Sequence, residues 1–152
     1  MKTLCLILGD QLSRDISSLN DFDKANDRVL MAEVNSEATY VCHHKKKIIL
    51  LFASMRHFAR QLQAEGLDVV YRQYDAADNQ GSLFAEVQQQ LQQIGFQRLL
   101  ITSPGEYRLL EEMQHWQQAL GVDIEIRPDR RFLCSIEFFR QWASGRKQLR
   151  ME

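Results

Sequence analysis

A chain of 152 residues, 45% hydrophobic and 26% charged, has the size and composition of one soluble globular domain with a core of its own. Its longest apolar run, Ile48 to Ala53, is far below a membrane span, and the N-terminus lacks a signal-peptide pattern, so a cytoplasmic location without a membrane partner is expected. The net charge of −1 hides an asymmetry: seven Lys/Arg between Arg127 and Arg150 stand against only Asp129 and Glu137, a local +5 that leaves −6 for the remainder. A basic tail on an acidic body is compatible with nucleic acid nearby or with docking onto another domain. Three widely spaced cysteines (Cys5, Cys42 and Cys134) with no CxxC exclude a disulfide framework and a cluster site built from this chain alone.

In chain order, Leu4 to Leu8 is a continuous apolar run, too short for a helix, and predicts a strand buried on both faces that stops at Gly9-Asp10-Gln11. Leu12, Ile16 and Leu19 recur at helical spacing in a segment rich in Ser and Asp, which predicts one or two helical turns. Arg28 to Val34 is a second buried strand carrying Glu33 at its end. Asn35 to Lys47 is polar and dense in functional groups. From about His44 a helix is predicted, with Ile48, Leu51, Phe52, Met55, Phe58, Ala59 and Leu62 on one face and Gly66 capping its end. Leu67 to Arg72 is the third strand. Ser82 can cap the next helix, which turns Phe84, Val87, Leu91 and Ile94 inward and stops at Gly95; its glutamines (Gln88 to Gln90, Gln92, Gln93) read as a solvated face. Arg98 to Thr102 is the fourth strand, followed by Ser103-Pro104-Gly105-Glu106-Tyr107. A helix with Leu109, Leu110, Met113, Trp116 and Leu120 inside precedes Val122 to Ile126, a fifth strand exposed on one face. Ser135 can cap a last helix holding Phe138, Phe139 and Trp142.

Strands alternating with helices predict an α/β, Rossmann-like, doubly wound parallel sheet of five strands with helices on both faces. In the order 3-2-1-4-5 the connections leaving the first and fourth strands diverge. A crevice then opens at that switch point, between Gly9-Asp10-Gln11 and Pro104-Gly105-Glu106.

The loop after the first strand has a single glycine, neither GxGxxG nor GxxxxGK[ST], and the crevice would hold Asp10, Glu33, Glu37 and Glu106. A phosphate cradle needs several exposed N–H groups and disfavours carboxylates, so NAD, ATP and other polyphosphates are discounted. Carboxylates suit a neutral ligand rich in N–H and hydroxyl groups, or a divalent metal. Tyr40 could stack on a planar ring and His44 could donate to it. Each has a plainer reading beside it: Asp10 as an Asx turn, and Glu33 paired with a lysine of Lys45 to Lys47. Cys42, His43 and His44 are adjacent on a helical stretch, point apart and lack structural-zinc spacing, so no metal is expected. The residues alone lead to a switch-point pocket for a small, planar, uncharged or cationic molecule.

Several stretches together resemble one family: Leu6 to Leu12, Glu33-Val34, Glu37-Ala38-Thr39-Tyr40-Val41 with His43 to Ile48, Met55-Arg56-His57-Phe58, Pro104 to Arg108, and Asp129 to Cys134. They resemble the N-terminal part of the deoxyribodipyrimidine photolyase-related proteins, the iron–sulfur bacterial cryptochromes and photolyases, over essentially the whole chain. The resemblance implies an N-terminal α/β antenna domain holding 6,7-dimethyl-8-ribityllumazine. It also implies a helical domain, beyond this chain, that carries FAD, a [4Fe–4S] cluster and the DNA-binding surface. It places Gly9, Asp10, Gln11, Glu33, Glu37, Tyr40, His44, Gly105 and Glu106 around the antenna, and residues 1–131 in the antenna domain, with 132–152 starting the connection to the helical half.

On that resemblance the parent is a lyase or photosensor, while a 152-residue chain without the flavin half has no catalytic residues and should not repair DNA or bind it well by itself. Truncation is expected rather than a naturally short product, because the basic stretch ends mid-segment. Two other readings stay open: a free-standing small-molecule binding domain, and a metal-dependent hydrolase using Asp10, Glu33 and Glu106.

Overall fold

In a computed structural model describing residues 2–146 and 148, the apolar runs form β1 (Thr3–Leu6), β2 (Arg28–Ala32), β3 (Val69–Arg72), β4 (Arg98–Thr102) and β5 (Asp123–Arg127). Every pairing is parallel and the order is β3-β2-β1-β4-β5, the doubly wound α/β sheet that the sequence predicts. The helices are α1 (Asn35–Thr39), α2 (Lys45–Ala64), α3 (Leu83–Ile94), α4 (Tyr107–Leu120) and α5 (Ile136–Ala143).

The pleat explains why the central strands are apolar without interruption. Leu4, Leu6 and Leu8 turn to one face, where they meet Val87 and Leu91 of α3 and Met113 and Trp116 of α4. Cys5 and Ile7 turn to the other, against Met55, Phe58, Ala59 and Leu62 of α2 and Ile16. Each Leu, Ile, Val, Met or Phe side chain buried so completely contributes about 1.5–3 kcal/mol. The α2 crossover lies on one face and the α3 and α4 crossovers on the other. The chain therefore changes sides between β1 and β4, and the loops after these two strands diverge.

Local details refine these expectations and correct one of them. The segment from Leu12 to Leu19 holds one of the expected turns, the 3-10 turn Ser17–Leu19, and its serines bond outward: the Ser18 N–H donates to Thr102 Oγ1 at 2.9 Å, and Ser17 Oγ lies 3.2 Å from that oxygen. The polar segment after β2 begins with the short helix α1. In α3 Val87 and Leu91 turn inward as expected, with Phe84 and Ile94 partly buried against the same core, but Leu83, Glu86 and Gln90 are buried too, so Gln90 is core and not a solvated glutamine. The last helix forms, capped by Ser135 Oγ accepting from Phe138 N, but Phe138, Phe139 and Trp142 are exposed. Of the basic tail, Lys147 and Arg150 lie outside the described residues.

Candidate functional site

Loops at the carboxyl ends of β1, β2 and β4 enclose a cavity of about 280 Å³ at the switch point. Leu8, Ala32 and Val34 at and just past the ends of β1 and β2, and Leu51, Phe52 and Met55 from α2, make an apolar floor. The N-terminal half of α2 thus overhangs the sheet edge, and the apolar stripe that packs as core from Met55 onward lines a hollow before it. Gly9 permits this approach. A Cβ there would lie 3.1 Å from Met55 Sδ and 3.2 Å from Leu51 Cδ1.

Polar groups sit at the mouth: Asp10 after β1, Glu37 and Tyr40 from α1 and its end, His43 and Lys47 at the start of α2, and Glu106 before α4. Arg108, which is not itself in the cavity wall, joins them. Its Nη2 donates to Glu37 Oε2 at 2.7 Å and its Nε to Glu106 Oε1 at 2.9 Å, while its Cζ lies 4.4 Å from the centre of the Tyr40 ring. The bonds to Glu37 and then Glu106 hold the guanidinium well above its ordinary pKa. His43 meets the Tyr40 ring edge-on, 5.2 Å between centroids. The Asp10 loop is tied from the far side by Arg131 Nη1, which donates to the Asp10 carbonyl at 2.8 Å. Arg131 is itself bonded to Asp129, and that bond keeps the Asp129 carboxyl below the usual range.

Of the nine residues assigned to the antenna by resemblance, Gly9, Asp10, Glu37, Tyr40 and Glu106 line the cavity. Gly105 adjoins it, its Cβ position 3.4 Å from Asp10 Oδ2. The other three lie outside its wall. Gln11 is fully buried; its Nε2 donates to the Thr102 carbonyl at 2.9 Å and its Oε1 accepts from Leu8 N, so the side chain ties the β1 loop to the end of β4. His44 is the N-cap of α2, with Nδ1 accepting from Lys46 N. The ring facing the cavity is that of His43.

Glu33 is buried and fully engaged. Arg56 grips both carboxylate oxygens at 2.6 and 2.7 Å, Tyr71 Oη donates at 2.5 Å and Tyr74 N at 2.9 Å. Its partner is thus Arg56, not a lysine of Lys45 to Lys47. Burial pushes the Glu33 carboxyl up, but these bonds outweigh it and leave the group below its ordinary range. Burial and the bond to Glu33 push the Tyr71 phenol well up. This network fastens the end of β2 to α2 and to the strand end at Tyr74, and so fixes two walls of the cavity. Asp10, Glu33 and Glu106 therefore do not converge, and among the described residues no group of three or more His, Cys, Asp or Glu is placed to hold a metal ion.

Sequence reasoning missed Arg108 and Lys47 as mouth residues. The signal was available: four carboxylates predicted at one crevice require a cation, and Arg108 stands two residues from Glu106.

A family model described as deoxyribodipyrimidine photo-lyase-related protein matches residues 5–152. A curated relative from Agrobacterium fabrum (strain C58 / ATCC 33970), named (6-4) photolyase, is 49% identical over 152 residues. That match covers 100% of this chain and 30% of the relative, so the chain spans under a third of that relative's length. The chain belongs to the deoxyribodipyrimidine photolyase-related protein family.

Proposed function

We propose that the chain is the antenna-binding α/β part of a longer photolyase-related flavoprotein. Residues 1–131 hold 6,7-dimethyl-8-ribityllumazine and residues 132–152 begin the connection to a helical FAD domain. The observation that carries this reading is the character of the switch-point cavity: an apolar floor beneath a mouth of carboxylates, without a glycine-rich phosphate loop. A lumazine presents a flat ring, ring N–H, a hydroxylated ribityl chain and no phosphate, which suits those surroundings. Leu51, Phe52 and Met55 would pack on the ring, and Tyr40 offers an aromatic face. Asp10, Glu37 and Glu106 would accept from ring N–H and ribityl hydroxyls, while His43 and Lys47 would donate to ring carbonyls. Bound there, the lumazine would absorb near-ultraviolet and violet light and pass the excitation to the flavin.

The helical half would supply FAD, the [4Fe–4S] cluster and the DNA contacts that serve repair of ultraviolet-damaged DNA or photosensing in the cytoplasm. The chain by itself would not be a working lyase. The surface of α5 and its approach supports a larger assembly over a free-standing binding domain: Phe132, Leu133, Ile136, Phe138, Phe139 and Trp142 are all exposed, Leu133 completely. These are proposed to dock against the helical domain. The test is a titration of the 152-residue chain with 6,7-dimethyl-8-ribityllumazine, followed by its absorption and fluorescence. Saturable one-to-one binding is expected; absence of binding at micromolar chain and ligand would overturn the antenna reading.

A further inference from the structure

Glu37, on the β2 side of the cavity, and Glu106, on the β4 side, lie on opposite walls of the switch-point crevice, and one side chain joins them. Arg108 directs Nη2 and Nη1 at the Glu37 oxygens, 2.7 and 3.4 Å, and Nε and Nη2 at those of Glu106, 2.9 and 3.4 Å. Nη1 also lies 3.8 Å from Glu112 Oε2. A guanidinium has five N–H donors in a fixed fork, and every nitrogen of this one already faces a carboxylate. Four of those N–H groups make hydrogen bonds and the fifth faces Glu112, so the fork is turned to the protein's own carboxylates. The carboxylates can still accept from a ligand, since each of their oxygens can accept more than once.

The element that Arg108 holds has little else to hold it. α1 spans only Asn35–Thr39, has no side-chain cap at Val34 and buries none of its residues. Besides those to Arg108, its hydrogen bonds to the body among the described residues are Ser36 N to the Gly81 carbonyl at 3.0 Å and Tyr74 Oη to Asn35 Oδ1 at 3.0 Å. A single isolated helical turn and a half is not stable in water without such ties. The Tyr40 ring that closes α1 lies under the same guanidinium, 4.4 Å away. The charges point the same way. Asp10, Glu37 and Glu106 against Lys47 alone would leave the mouth at −2, and Arg108 brings it to −1.

We infer that Arg108 is the positioning residue of the cavity mouth: it straps α1 across the switch point to the start of α4 and sets the Glu37 and Glu106 carboxylates and the Tyr40 ring at the spacing a neutral, hydroxyl-bearing heteroaromatic ligand needs. This rests on the antenna reading for the ligand's identity, but the strap itself does not. Arg108 acts through the residues that line the cavity and touches no ligand.

The experiment uses Arg108→Met, which keeps the alkyl stem and removes the fork, and Arg108→Lys, which keeps the charge. Two readouts are taken on the full 152-residue chain: amide hydrogen exchange of residues 35–40, and the dissociation constant for 6,7-dimethyl-8-ribityllumazine. Because the Arg108 side chain is 40% exposed and α4 is anchored by Leu109, Met113 and Trp116, both variants should fold, with exchange in β1, β2 and α3 unchanged. Arg108→Met should speed exchange at 35–40 at least tenfold and weaken lumazine binding on the order of tenfold. Arg108→Lys should recover part of the affinity but not the exchange protection, since an ammonium cannot fork across two carboxylates. Wild-type exchange at 35–40 in Arg108→Met overturns the strap. Faster exchange with unchanged affinity overturns the positioning role. If wild-type chain binds no lumazine, the antenna reading fails while the exchange result still decides the strap.

Discussion

Replacing Arg56 with Met tests whether Glu33 belongs to the scaffold and not to the ligand's contacts. In the folded chain the Glu33 side chain is wholly buried, and Arg56 supplies two of its four hydrogen bonds. Stripping one partner from a buried pair costs about 3–5 kcal/mol, because the remaining charge is left in a poor dielectric. Here Arg56 is 40% exposed, which screens the pair, and the bonds from Tyr71 and Tyr74 remain, so about 2–3 kcal/mol is expected. For a domain of this size that is a fall in melting temperature of about 4–12 °C. The pH dependence carries the sign. The wild-type carboxyl lies below its ordinary value, so its stabilising contribution is present above the unfolded pKa and fades as pH falls through the lower folded one. With Arg56 gone, two of the bonds that hold the carboxyl low are lost and burial is less opposed, so the folded pKa rises relative to wild type and the penalty grows with pH. The two proteins should therefore differ most at neutral pH and approach each other only as pH falls below the ordinary glutamate range. Glu33→Gln in the Arg56→Met background should recover part of the loss, since no charge then stays unpaired. Thermal unfolding at several pH values measures all of this. Equal melting temperatures at neutral pH, or a gap that does not change with pH, would refute the reasoning.

Three further outcomes follow from side chains away from the cavity. Thr102→Val leaves the Ser18 N–H and two serine hydroxyls without their buried partner and should cost about 1–3 kcal/mol in urea denaturation, with lumazine affinity unchanged. Burial pushes the Cys5 thiol up to about 12, whereas Cys42 and Cys134 are exposed, so a thiol reagent at pH 8 should titrate two cysteines in the native chain and the third only on unfolding. Combined Phe138→Ser and Trp142→Ser should lower binding of a hydrophobic dye to the 152-residue chain while leaving its melting temperature in place; an undiminished dye signal would mean that α5 is not the exposed apolar surface.

The sheet was legible because its determinants are local. Runs such as Leu4 to Leu8 and Arg98 to Thr102 are short, apolar on both faces and separated by helical periodicities, and the crossover rules leave few ways to order them. The position of the crevice followed from the order, which is why Gly9, Asp10 and Glu106 were found together at its mouth. What each side chain does there was less legible, because that depends on partners far along the chain. Glu33 reads as a crevice carboxylate or a partner of Lys45 to Lys47 until Arg56, 23 residues later, and Tyr71, 38 residues later, are seen to enclose it. Gln11 is committed to a carbonyl 91 residues away. His43 and His44 are neighbours whose roles, cavity wall and helix cap, are separated by where α2 begins. Periodicity likewise found Val87 and Leu91 in α3 but not Glu86 and Gln90, which look like surface; the bonds that Arg72 and Gln80 direct at Glu86 make its burial tolerable.

The central claim is that the switch-point cavity is an antenna site. The measurement that tests it most directly is the absorption spectrum of the 152-residue chain after incubation with 6,7-dimethyl-8-ribityllumazine and removal of unbound ligand. The account predicts a retained near-ultraviolet to violet band at one equivalent per chain. A chain that emerges without that band contradicts it.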